Sequence, residues 1–459
     1  MPYTPTAFQR LLEPLDRRVI ARAVAAHDGD RGVGRGDNAW TCERHLKSLL
    51  FAQLAGLTSL RQIVTGLGAH SRWFYHLNLR APCRSTLADA NTERPAAVFR
   101  DIASALIPVA AGALRSDSEA LIRLLDATPI PLKGDGFAWA EANARTRGLK
   151  LHLLYDSRQR RPVWFDVTSA KIDDVVAGRA MPLEKGATYV FDKGYTDYRW
   201  WSQMIDAGAV FVTRRKRNAQ CRDIREQPAR GDGILADRRL KIGHRQPRGG
   251  APINPLYPVE LREIVVARPD HDQPLYLLTN DLERPAVDIA QLYKERWDIE
   301  LLFKWLKQNL KIRRFLGRSE NAVRIQIYVA LIAFLLLRIL HHTAARSFKD
   351  STALLLTRLK LGLFGPFSLC QHATPPLRPP RCLRPTRKLA SPSNEPKSAT
   401  KSRTTVRLRG NDGTRSGWRG RKRQARPRAS SPTRSGAGRW YGSAPVSYTH
   451  LTLPTTPYV

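Results

Sequence analysis

Apolar residues recur at helical spacing through the first quarter of the chain and again near residue 300, while between them they shorten into strand-length runs. In "ERHLKSLLFAQLAGL", Leu46, Leu49, Leu50, Gln53, Leu54 and Leu57 share one helical face, and "SLRQIVTGL" continues the pattern. Gly56 and the Thr58-Ser59 pair supply a helix stop and an N-cap. The outcome is a helix-turn-helix-like pair, which suits either an ordinary bundle or a DNA-reading unit. "RSTLADANTERP" follows, with Ser85 or Thr86 able to cap another helix.

From about residue 118 to 215 the runs "EALIRLLDATPI", "GLKLHLLYD", "PVWFDVTSA", "ATYVFDKGY" and "GAVFVTRR" each have strand length, with room for a helix before and after the fourth. This predicts an α/β sheet. Residues 216 to about 285 are rich in Arg, Gly and Pro around "ADRRLKIG", "VELREIVVARPD" and "PLYLLTND", which reads as a β-rich insertion. Helical spacing returns from 286 to 345. Its apolar run "IYVALIAFLLL", Ile327 to Leu337, is shorter than the roughly 18 residues of a transmembrane helix and is fenced by Arg324 and Arg338, so it reads as a buried helix.

Charge adds a partner. With 76 Lys and Arg against 40 Asp and Glu, the net charge of +36 attracts a polyanion, nucleic acid before membrane. Beyond about residue 375, Pro, Arg, Ser and Thr dominate without apolar periodicity, which predicts a disordered basic tail. From 383 onward about 17 cations face only Glu395 and Asp412, so the tail holds roughly +15 and the remainder about +21. The neutral ending "SYTHLTLPTTPYV" marks part of this tail as read-through or out-of-frame translation. Cys42, Cys83, Cys221, Cys370 and Cys382 are too scattered for a disulfide framework or zinc knuckle. The N-terminus lacks a signal peptide's apolar region, so the expected location is the cytoplasm, at the nucleoid when bound to DNA.

Two strand-like runs end in a carboxylate: Asp126, with a turn expected at Ala127-Thr128-Pro129, and Asp192 before Lys193-Gly194. The carboxyl end of a buried strand holds such a group rigidly. A third comes from "YKERWDIELLFKWLK". Taken as one helix at about 100° per residue, Tyr293, Arg296, Glu300 and Lys307 share an arc of about 60°, beside an apolar stripe of Leu292, Ile299, Phe303, Leu306 and Leu310. An Arg296 to Glu300 ion pair on a solvated helix explains part of this equally well. Three carboxylates without His or Cys suit Mg²⁺ or Mn²⁺, and two such ions support in-line displacement at phosphorus. Tyr293, Arg296 and Lys307 would grip phosphates, while Trp297 reads as packing.

The order Asp126, Asp192, Glu300, combined with Tyr293, Arg296 and Lys307 at their spacing, resembles the signature of bacterial DDE transposases of the insertion-sequence-four family. "DKGY" at 192 to 195 is similar to the second-aspartate motif of that family and "FVTRRKRN" to the strand leading into its β-rich insertion, while "SLRQI" and "RSTLADAN" resemble an N-terminal accessory domain of one subgroup. The resemblance implies a ribonuclease-H-like mixed sheet with flanking helices, interrupted by the insertion. It divides the chain into a helical domain at 1–112 that binds DNA ends, core segments at 113–215 and 286–375, an insertion at 216–285 and the tail at 376–459. It implies a homodimer on double-stranded DNA that cleaves inverted-repeat ends, often through a hairpin, and joins them to a target with two metal ions. Asp126, Asp192 and Glu300 become the metal ligands, and Tyr293, Arg296 and Lys307 the DNA contacts. Tyr257 is the candidate for holding a flipped base. The alternatives are a metal-dependent nuclease with the same core and a DNA-binding relic without catalysis.

Overall fold

The strand-length runs of the middle of the chain all enter one mixed sheet, and the helices around it decide which face carries chemistry. The computed structural model describes residues 5–365 apart from 35, 37, 115–119, 144–145, 245–258, 270, 311, 313 and 345–350. Tyr257, Cys370, Cys382 and the tail lie outside the described residues.

The strands are β1 (Ile122–Pro131), β2 (Glu141–Asn143), β3 (Thr146–Asp156), β4 (Arg161–Ser169), β5 (Thr188–Phe191), β6 (Val210–Arg214), β7 (Ala219–Gln227), β8 (Ile234–His244), β9 (Leu261–Val266) and β10 (Leu275–Thr279). Their order is β2-β3-β1-β5-β6-β10-β9-β8-β7, with β4 also on β3. Strands β1, β5 and β6 run parallel, and the remaining pairings are antiparallel. The mixed α/β architecture agrees with expectation. The segment expected as an insertion is β-rich, and through β10 on β6 it continues the central sheet.

One expectation fails at Asp126. No turn follows it: β1 stays extended through Ala127-Thr128-Pro129 to Pro131, paired with β3 as far as Gly148. The prolines are tolerated because of their parity. Ile122 and Leu132 bond toward β3, whereas Leu121 bonds toward β5, so Pro129 and Pro131 turn their missing donors to the side where β5 has already ended. Gly148 permits the crossing, since a Cβ there would come within 2.6 Å of the Ile130 carbonyl oxygen.

Alternation along the strands separates two cores. One face carries Leu124, Val190 and Val212, together with Ile299, Phe303 and Leu306. The opposite face carries Leu125, Phe191 and Phe211 and packs against Trp200, Trp201 and Met204. Those last three lie on α8 below. Asp126 and Asp192 share the parity of Leu124 and Val190, which directs both toward the first face.

The helices are α1 (Ala7–Leu12), α2 (Arg17–Ala26), α3 (Cys42–Ala55), α4 (Leu60–Ala69), α5 (Arg84–Glu93), α6 (Ala96–Ala113), α7 (Asp174–Ala180), α8 (Tyr198–Asp206), α9 (Ala286–Glu295), α10 (Trp297–Asn309), α11 (Glu320–Ala344) and α12 (Thr352–Gly362). Gly56, at φ 71°, ends α3, and the Ser59 hydroxyl accepts from the Gln62 amide to start α4. Helix α3 is buried on nearly every side and packs on α11, while α4 carries a single cation, Arg61. That is the make-up of packing helices. Neither Ser85 nor Thr86 is the cap expected for α5, because the helix starts at Arg84, with Cys83 at the N-cap. By length and composition α6 and residues 320–343 of α11 could cross a bilayer, but 89% of the α11 window is buried inside the protein. The apolar run is the core of the helical layer.

Candidate active site

The site begins with strand register. Leu124 pairs with Val190, and Val190 with Val212. Continuing that row two residues past the paired positions leads to Asp126, to Asp192 just beyond the end of β5 and to Arg214 at the end of β6. The Arg214 guanidinium stands 3.9 Å from Asp192. Sequence reasoning missed Arg214, although it ends "AVFVTR" as Asp192 ends "ATYVFD". The ends of two neighbouring parallel strands were the available signal.

Above this row the stretch from 293 to 309 is two helices rather than one. Arg296 caps α9 and opens α10, and the bonds from its amide to Tyr293 and from Ile299 to its carbonyl each span three residues. A single wheel therefore misstates the angles. The four polar side chains still converge, since each makes a contact around the carboxylates. The Tyr293 hydroxyl donates to Asp192 at 3.3 Å. Arg296 lies 2.6 Å from Glu300 and 3.7 Å from Asp126, with its guanidinium carbon 5.6 Å from the centre of the Tyr293 ring. Lys307 Nζ donates to the Thr128 hydroxyl, two residues along β1 from Asp126. Thr128 was another residue that the sequence did not single out.

The apolar stripe behaves as expected: Leu292, Ile299, Phe303, Leu306 and Leu310 are all buried. Trp297 does not. It is 55% exposed, with Leu301 one turn later 45% exposed, so its indole is no packing group. The break at Arg296 starts α10 with Trp297 on the outward side. Trp305 does pack, edge-on against Phe334.

Asp126 carries the electrostatic signature of the site. Burial, then the nearby charges of Glu300 and Asp192, push its carboxyl up to about 6, against the opposing pull of the Ala127 amide and Arg296. Desolvation raises the Tyr293 hydroxyl to about 12, so it remains a hydrogen-bond donor at neutral pH. Arg296 is held above its ordinary value by Tyr293, Glu300 and Asp126 in spite of burial. Its buried Nε has no hydrogen-bond partner among the described residues.

Three mutually repelling carboxylates without nitrogen or sulfur ligands have the donor chemistry of a hard divalent cation. As the side chains stand, no group of three or more acidic, His or Cys residues among those described has metal-holding geometry. Arg296 lies between Asp126 and Glu300 and contacts both.

Comparison with known proteins gives the family. The Transposase DDE domain matches residues 117–336, and a domain of unknown function (DUF4372) matches residues 4–80. The y4zB protein of Sinorhizobium fredii (strain NBRC 101917 / NGR234), named as a transposase, is 45% identical over 264 residues, which cover 56% of this chain and 72% of that protein. A Geobacillus stearothermophilus protein, named as a transposase for insertion sequence element IS5377, is 25% identical over 48% of this chain and 56% of its own length. A solved synaptic complex of piggyBac transposase with hairpin DNA aligns at TM-score 0.43 and 11% identity, covering 78% of this chain and 80% of that one. The chain belongs to the DDE transposases, enzymes of DNA transposition that depend on divalent metal.

Proposed function

We propose that Asp126, Asp192 and Glu300 are the catalytic carboxylates, and that the protein binds the inverted-repeat ends of its own insertion sequence, cleaves them and joins them to target DNA. The observation that supports this reading is the convergence of three carboxylates: Asp126, within β1, feels the charges of Asp192 and Glu300, and Glu300 is joined to it through Arg296. The three carboxylates would hold two divalent ions, Mg²⁺ or Mn²⁺, which when bound activate an attacking oxygen and stabilise a leaving one at phosphorus.

The protein's own groups do the positioning. Tyr293 fixes Asp192 by its hydroxyl, and its buried ring sets the height of α9 over the sheet. Arg296, released from the carboxylates, turns its fork and unbonded Nε to a phosphate beside the cleaved bond. Lys307, anchored at Thr128, adds a point charge one step further along β1. Tyr293 therefore acts on DNA through Asp192. Joining two ends requires at least two protomers, so the active form is a homodimer on double-stranded DNA.

The test is the purified protein with duplex DNA carrying the element's end and an unrelated target, with and without Mg²⁺. Metal-dependent nicking followed by joining is expected. Nicking without joining would make it a nuclease, and end binding without cleavage a relic.

A further inference from the structure

Past the carboxylates, β1 leads into a second feature that the catalytic reading does not use. On the face of β1 that carries Asp126 the strand is covered, with Thr128, Ile130 and Leu132 all buried. Beyond that cover, at the far end of the strand, a groove of about 1000 Å³ is lined by Pro131, Leu132 and residues 133–137 on one side and by Arg314, Phe315 and Arg318 on the other. Asp126 and Pro131 are about 16 Å apart along the strand at roughly 3.3 Å per residue, the span of a few nucleotides.

The lining alternates cations with aromatic rings. Lys133, Arg314 and Arg318 are exposed, and none makes an ion pair among the described residues. The one carboxylate in the lining, Asp135, pairs with none of them. Phe137 and Phe315 each rest partly against the core, leaving part of each ring toward the groove. The walls are fixed. Trp139 Nε1 donates to the Arg318 carbonyl at 2.7 Å and the Gln326 amide to the Arg314 carbonyl at 2.8 Å, while Phe137 meets Trp139 edge-on. At Gly136 a Cβ would come within 2.3 Å of Arg318 Cδ, so the glycine lets that side chain lie across the loop.

We infer that this groove binds unpaired DNA, taking the strand that continues beyond the active centre and stacking its bases on Phe137 and Phe315 while Lys133, Arg314 and Arg318 follow its phosphates. Duplex bases are already stacked and offer no face to a ring, whereas an unpaired base gains about 1–3 kcal/mol from an aromatic platform regardless of sequence. The inference rests on the reading of Asp126, Asp192 and Glu300 as the DNA-cleaving centre, because that centre sets the strand's path.

The experiment separates the two by using EDTA, so that cleavage plays no part. Fluorescence anisotropy would compare full-length protein binding a blunt duplex of arbitrary sequence with the same duplex carrying an unpaired extension of about six thymidines. The extension should tighten binding by about tenfold, and most of that gain should disappear in Phe137→Ala and Phe315→Ala with blunt-duplex binding unchanged. Because those changes touch the core, Lys133→Ala serves as an exposed control, and it should lower the salt dependence of the gain by about one unit. Equal binding of blunt and extended probes, or a gain that survives all three substitutions, would overturn the inference.

Discussion

The Arg296 guanidinium lies 2.6 Å from the Glu300 carboxylate and reaches toward Asp126, standing where a cation is needed to balance the acidic cluster. Replacing Arg296 by Gln should therefore have two opposite effects. Strand transfer should fall by about a hundredfold, because a charge that stabilises the reacting phosphate is lost. Apparent Mg²⁺ affinity, read from the rise of thermal unfolding temperature with metal, should improve by about tenfold, because the internal competitor is gone. Unchanged metal affinity would show that Arg296 does not compete for the site.

Asp126 sets a pH dependence in the metal-free protein. Its folded value, about 6, lies above the ordinary 3.8, so the folded state holds the proton more tightly than the unfolded chain. Stability must then fall as pH rises from about 4 to about 6 and stay low above that. Held against the ordinary 3.8, a value of about 6 is worth roughly 3 kcal/mol, with the favourable Arg296 contact already included. Asp126→Asn should accordingly be more stable than the parent by about 1–3 kcal/mol at pH 7.5, and the difference should vanish near pH 4. Urea unfolding in EDTA at the two pH values checks this, and a variant destabilised equally at both would refute it.

Much of this site is legible in the chain. The apolar runs gave the strands, and the spacing of Asp126, Asp192, Glu300 and Lys307 gave the residues that meet. What the chain could not reveal was register, which sets Arg214 beside Asp192, and the helix break that leaves Trp297 exposed. Both depend on partners far away in sequence. The missing turn after Asp126 has the same origin, since Pro129 reads as a breaker until the end of β5 removes the need for its donor.

Tyr293 offers a cleaner separation of packing from positioning. Tyr293→Phe keeps the buried ring and removes the hydrogen bond to Asp192, so activity should drop by about tenfold while stability changes by no more than about 1 kcal/mol. Tyr293→Ala should cost roughly 3–5 kcal/mol of stability as well, by analogy with other large-to-small core changes. Equal activity of the Phe variant and the parent would remove the hydroxyl from the account.

Beneath the site, Arg123 on β1 pairs with Asp156 at 2.7 Å and with Glu184 at 2.7 Å, and both Arg123 and Asp156 side chains are 6% exposed. Asp156→Ala should destabilise the protein by about 3–5 kcal/mol because it leaves the buried Arg123 with only the more exposed Glu184 and takes the acceptor from the Arg158 and Gln159 amides. Replacing Arg123 and Asp156 together with Met and Leu should restore much of that loss, as measured by chemical unfolding.

Asp126, Asp192 and Glu300 are proposed to act as one catalytic unit. The most direct test of that proposal is strand transfer by Asp126→Asn, Asp192→Asn and Glu300→Gln, each measured beside end-DNA binding in the same preparation. Each variant should lose at least about a thousandfold in joining while still binding the end. A variant that joins ends at near-parental rate would contradict it.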